Sequence, residues 1–159
     1  KEIRLDIIEA SLNSFNIDNI TEIYNKSDVL NNYINKEIGT DIILSYKRAS
    51  NILQQELRNR ELEISNTTDP GLFKSEYEKN LYKKIYELKK YFNSINNDEN
   101  YKLTLENLAE SKKVIFDFFD NVKVNDDDKK IQKNRLELLQ MLCKTFDNYI
   151  TFSSINNLQ

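Results

Sequence analysis

The sequence has no histidine, no tryptophan, one cysteine, one proline and two glycines among its 159 residues. Without histidine there is no His-based acid/base catalysis, no Ser-His-Asp or Cys-His triad, and none of the usual Cys/His zinc sites. The lone Cys143 cannot close an internal disulfide, which points to a reducing, cytoplasmic setting. No run approaches the ~18 apolar residues of a membrane span, and no basic segment followed by an apolar one opens the chain as a secretory signal would. Lys1 comes first and Met141 is the single methionine, so the chain is expected to be a piece of a longer polypeptide. The net charge of −3 lacks the strongly basic signature of many free-standing nucleic-acid binders but leaves room for local basic faces. The 22 Asn and 18 Ile, with 18 Lys against 5 Arg, look like the drift of an AT-rich genome and receive no functional reading.

What is present is helical period. So few chain breakers favour long regular segments, and apolar residues recur at three- and four-residue intervals nearly throughout. The expected fold is all-α, a bundle of five to six helices forming one domain over residues 1–159, monomeric and without a bound metal. The first helix is expected over about Glu2–Leu12 and the second over Asn19–Asn35, with Gly39 marking a break. A third, over Asp41–Glu63, carries Ile42, Tyr46, Ala49, Leu53 and Leu57 on one stripe. Asn66 to Gly71 supplies turn formers around Pro70 and reads as an exposed loop. A fourth helix, Lys74–Asn93, has Leu81, Ile85, Leu88 and Phe92 on its apolar face. A fifth runs from Tyr101 to about Asn121, and a sixth from about Asp127 to Thr145 or beyond, capped by Asp126 to Asp128.

Three surfaces suit contact with RNA. Lys47, Asn51 and Arg58 project opposite the apolar stripe of the third helix, with Arg48 flanking them; Lys and Arg neutralise phosphates, and Asn offers a donor and an acceptor to an unstacked base. Asn121, Lys123 and Asn125 lie in a short polar connection with free backbone N–H groups. Secondary candidates are Lys79, Lys83, Tyr86 and Lys90, with Tyr82, a row of lysines interleaved with aromatics. The alternative for each is a merely solvated face, and on the fourth helix Glu76, Glu78 and Glu87 partly offset the charge. Arg135 falls inside the stripe of Ile131, Leu138, Leu142 and Phe146, which assigns it a structural role with Asp117 or Asp120 as acceptor. The acidic run lacks the Gly and distal Glu of an EF-hand, Cys143 reads as a packed thiol, and no catalytic residue is expected.

Several blocks in order resemble the C-terminal region of the β subunit of bacterial glycyl-tRNA synthetases. Tyr46-Lys47-Arg48-Ala49-Ser50-Asn51-Ile52-Leu53 is similar to that family's YKR-x-x-NIL signature. Phe118-Phe119-Asp120-Asn121-Val122-Lys123-Val124-Asn125 and Asn134-Arg135-Leu136-Glu137-Leu138-Leu139 resemble its FFD-x-V-x-V-N and NRL-x-LL blocks, with Asp69 to Phe73 similar to the loop between. The closing Phe152 to Gln159 resembles the family's C-terminus. The family often has an acidic residue, Ala, Leu and Arg before the second block. Here Asp128 to Lys133 stand instead: Ile131 can keep the apolar contact, and the missing arginine weakens the expectation of bidentate phosphate recognition there.

The resemblance implies a DALR-type helical domain that grips the anticodon arm of glycine tRNA and has no chemistry of its own. It further implies partnership with the remainder of the β subunit and with the α subunit, the latter supplying glycine activation with ATP and magnesium. This fragment itself is expected to hold no cofactor. The alternative function is a helical protein-interaction module that docks to other synthetase parts without touching RNA.

Overall fold

The computed structural model describes residues 2–14, 20–58, 64–65, 67–94 and 100–155. Among these, seven α-helices follow one another: α1 (Leu5–Leu12), α2 (Ile20–Tyr33), α3 (Glu37–Arg58), α4 (Glu76–Ser94), α5 (Tyr101–Ala109), α6 (Lys112–Asn121) and α7 (Lys129–Phe146). Short 3-10 turns lie at Pro70–Leu72 and Phe152–Ser154. The described residues form an all-α helical bundle, as the apolar period predicts. The expected Asn19 start of the second helix, the stretch of the third beyond Arg58, Asn66 and the final four residues lie outside the described residues.

Helix α7 is the axis of the bundle. Leu136, Leu138, Leu139, Leu142 and Phe146 are all but sealed from solvent, and so are the polar Gln132, Asn134, Arg135 and Glu137. A helix buried on so much of its circumference needs neighbours on several sides, and α3, α4 and the Pro70–Leu72 turn supply them. Asp128 starts it by accepting from Lys130 N–H at 2.9 Å, and Asp126 accepts from Asp128 N–H at 3.0 Å. The capping role of the acidic run is therefore direct. One continuous core joins Ile7 of α1, Ile42 and Leu53 of α3, Leu81 and Ile85 of α4, and Ile155. At the end of α7 the Tyr46 ring meets those of Phe146 and Phe152, Tyr149 stacks on Phe152, and Thr151 N–H donates to the Ala10 carbonyl at 3.1 Å, tying the chain's two described ends together.

Helix boundaries differ from those expected in three places, the first being that α1 begins at Leu5 and not near Glu2. Gly39 does not break the chain: it sits within α3, whose first turn passes so close to the end of α2 that a Cβ at Gly39 would come within 2.7 Å of the Ile34 carbonyl oxygen and closer still to that of Tyr33. The glycine allows an approach, not a turn. The expected fifth helix is divided at Glu110 and Ser111 into α5 and α6. Ser111 is fully buried and its hydroxyl donates back to the Leu108 carbonyl at 2.5 Å, a local bond that competes with helix continuation. The break lets α5 pack on α2 and α3 while α6 turns to pack on α3 and α4.

Candidate nucleic-acid interface

The α3 ridge and the α6–α7 connection, separated by some seventy residues, are joined into one surface. On α3, Asn51 and Arg58 are exposed, while Lys47 and Arg48 are half-buried. Arg48 leans toward α6, where Nη2 donates to Asp120 Oδ1 at 2.7 Å and the guanidinium lies 4.7 Å from the Phe116 ring centre and 5.0 Å from that of Phe119. About two turns further along α3, Glu56 Oε2 accepts from Gln132 Nε2 at 3.1 Å, and the same amide donates to Asn125 Oδ1 at 2.9 Å. Gln132 itself is sealed from solvent, so a buried amide pins the connection to α3.

Asn121 closes α6 with its Nδ2 donating to the Asp117 carbonyl at 2.8 Å. The backbone is extended at Val122 and bends at Val124 and Asn125; Val122 and Val124 turn into the core, leaving Asn121, Lys123 and Asn125 exposed. Three polar residues thus emerge beside the ridge of α3. The arrangement offers cations at Lys47, Arg48 and Lys123 and amides at Asn51, Asn121 and Asn125, the mixture that suits phosphates and unstacked base edges.

Arg135 underlies this surface. It is 7% exposed, with Nε donating to Glu78 Oε1 at 2.8 Å, and Nη1 donating both to Asp126 Oδ2 at 2.7 Å and to the Lys123 carbonyl at 2.9 Å. The acceptors expected from chain topology are corrected here: Asp120 pairs with Arg48, and Asp117 with Lys113 at 2.7 Å. Both end on α6 facing outward, whereas Glu78 points into the core from α4. Burial pushes the Glu78 carboxyl up, but Arg135 and the Lys74 and Ser75 N–H groups more than offset it, and its pKa lies below the ordinary value. The Asp126 carboxyl is likewise held low, by the Asp128 N–H and then by Arg135.

On α4, Lys79, Lys83, Tyr86 and Lys90 are exposed opposite the buried Leu81, Ile85 and Leu88. Tyr82 does not join them: it turns inward and its ring meets Phe73 at 5.5 Å. The lysine row and the α3 ridge stand on different helices, and α6 and α7 each pack on both of those helices.

The sequence reading missed Glu56, Gln132 and Glu78. Only Glu78 left a signal. Ser75-x-x-Glu78 has the spacing of a capping box, and Glu78 Oε2 does accept from Ser75 N–H at 2.8 Å. Glu56 and Gln132 have no such mark, since either would be unremarkable on a solvated face. Among the described residues, no group of three or more His, Cys, Asp and Glu side chains is placed to hold a metal ion, and no helix is long and apolar enough to cross a membrane.

Comparison with known proteins supplies a family. A model described as DALR anticodon binding domain matches residues 42–158. The glycine–tRNA ligase beta subunit of Rickettsia typhi is 35% identical over 134 residues, covering 84% of this chain and 19% of that protein. Its counterpart in Rickettsia bellii strain OSU 85-389 is 36% identical over 137 residues, covering 86% of this chain and 19% of that protein. The chain therefore spans about a fifth of the length of these relatives.

Proposed function

The chain belongs to the DALR anticodon-binding domain family, and on that premise we propose that it grips the anticodon arm of glycine tRNA with α3 and the α6–α7 connection. The DALR domain is a non-catalytic binding module. In the proposed mode Lys47, Arg48 and Lys123 neutralise backbone phosphates, and Asn51, Asn121 and Asn125 face the unstacked bases. The supporting observation is the joining of these two remote segments through Arg48–Asp120 and Gln132 into one exposed polar surface with a rigid floor. Preorganisation of this kind lowers the ordering cost of binding.

The partners proposed with it are the remainder of a β subunit and an α subunit, the latter carrying out glycine activation with ATP and magnesium. Docking to such protein partners without RNA contact is the alternative, favoured by the outer face of α1, where Leu5 and Leu12 are 77% and 46% exposed.

Salt dependence separates the two. RNA affinity falls steeply as salt rises, because phosphate neutralisation releases counterions, whereas apolar docking does not weaken that way. With a glycine tRNA transcript, Lys47→Ala should weaken binding to all tRNAs and reduce the salt slope by about 1. Asn51→Ala should chiefly lower the preference for the glycine anticodon over a substituted one. If both variants bind glycine tRNA as the parent does, the α3 ridge is only a solvated face.

A further inference from the structure

Read from sequence, the lysine row of α4 was offset by three glutamates. The structure narrows that offset. Glu78 is fully buried against Arg135, so it contributes nothing to the outer face. Glu76 is matched by Lys79 at 2.6 Å. Glu87 remains, at the edge of a shallow groove of about 240 Å³ that α4 forms with Val114 and Asp117 of α6. Neither Lys83 nor Lys90 has an ion-pair partner among the described residues. In a chain of net charge −3, Lys83 and Lys90 of this strip are thus cations held in no ion pair among the described residues, with Glu87 lining the same groove as Lys83.

The aromatic in the strip is also unspent. Tyr86 is 65% exposed and has no ring or hydrogen-bond partner among the described residues, in contrast to Tyr82, which is packed on Phe73. At about 100° per residue, Lys79, Lys83, Tyr86 and Lys90 fall within an arc of roughly 60°, and the row is about 16 Å long at the helical rise. Cations flanking an open ring match a polyanion that also presents π faces.

We propose that the outer face of α4 is a second RNA-contact surface, where Lys83 and Lys90 neutralise phosphates and Tyr86 stacks against an unpaired base. It rests on the RNA-binding role proposed above and extends it to a second helix, with residues other than those of the α3 ridge. A protein partner is the less suited occupant, because the groove beside the strip is shallow and lined mostly by polar and charged residues, with only Tyr77 and Val114 among its lining to anchor one.

The test uses the full chain and a glycine tRNA transcript over a series of salt concentrations. The Lys83→Gln/Lys90→Gln pair should reduce the salt slope by about 2. Tyr86→Ala should weaken binding about 5- to 10-fold, whereas Tyr86→Phe should bind like the parent, because stacking needs the ring and not the hydroxyl. All of these side chains are exposed, so thermal melting should not change. Lys47→Ala is measured alongside. Parent-like binding by the α4 variants with weakened binding by Lys47→Ala overturns the second surface alone. The reverse pattern supports it and overturns the α3 ridge. No tRNA binding by the parent chain, even at low salt, overturns both.

Discussion

Arg135 and Glu78, fifty-seven residues apart, meet at 2.8 Å where Glu78 is wholly sealed from solvent and Arg135 nearly so. This buried pair joins the start of α4 to α7, and through Asp126 and the Lys123 carbonyl it also fixes the connection that carries the candidate RNA contacts. Removing one partner leaves a charge without compensation, so Arg135→Ala should cost about 3–5 kcal/mol. Replacing both residues by methionine should recover only part of that, because the Lys74 and Ser75 N–H groups then lose the Glu78 carboxylate. Denaturant unfolding measures both. An unchanged melting temperature with abolished tRNA binding would show that Arg135 serves the ligand and not the fold.

The same pair sets a pH dependence. Glu78 has a folded pKa below its ordinary value of 4.5, so the folded state binds fewer protons than the unfolded state in that range. Its contribution is therefore complete above about pH 4.5 and is lost as pH falls through the lowered folded value. Asp126 acts in the same direction from its ordinary 3.8. Unfolding measured between pH 6 and 3 should give a shallower decline for Glu78→Gln than for the parent; parallel declines would remove Glu78 from the acid response.

Gly39→Ala sets two effects against each other. Alanine gains about 1 kcal/mol of helix propensity over glycine. Its Cβ, however, would press on backbone atoms of Tyr33 and Ile34, which cannot swing aside as a side-chain tip could. Overpacking of this kind typically costs about 1–3 kcal/mol and here displaces the α2–α3 junction. The clash should win, lowering the melting temperature by several degrees. A rise would mean that the junction relaxes freely.

If Arg48 meets RNA as proposed, Asp120, which pairs with it at 2.7 Å, is the competitor. The pair is partly exposed, 33% at Arg48 and 62% at Asp120, so Asp120→Asn should change stability by less than about 1 kcal/mol. If Arg48 meets phosphate as proposed, freeing its guanidinium should tighten glycine tRNA binding and steepen the salt dependence. Unchanged binding in a salt series would confine Arg48 to holding α3 against α6.

Cys143 is buried, and its thiol is pushed up to about 12, mainly by burial and then by the charge of Asp147. Alkylation requires the thiolate, so at pH 8 the native thiol should react on the order of a thousandfold more slowly than the unfolded one. Rapid labelling of folded protein would show that the C-terminal end of α7 opens.

Features that depend on neighbours in sequence were legible in it. The apolar period located α3, α4 and α7, and Asp126 to Asp128 announced the cap that they form, because helical periodicity and capping are settled within one or two turns of chain. The family blocks were legible for the same reason, as fixed spacings along the sequence. The division at Ser111 was not, since Leu105, Leu108, Ile115 and Phe119 keep the period across it and only burial of the serine decides in favour of a break. Gly39 showed a glycine's freedom but not its use, which was a close approach of α3 to the end of α2. Which acid meets Arg135, and whether Arg48 stands free, depended on how α4 and α6 are rotated against α7. Side chains on one helix are related by its 100° step, but those on different helices are related only by packing, and for that reason the tertiary structure alone could withdraw Glu78 from the surface, spend Asp120 on Arg48 and leave Tyr86 among unpaired lysines.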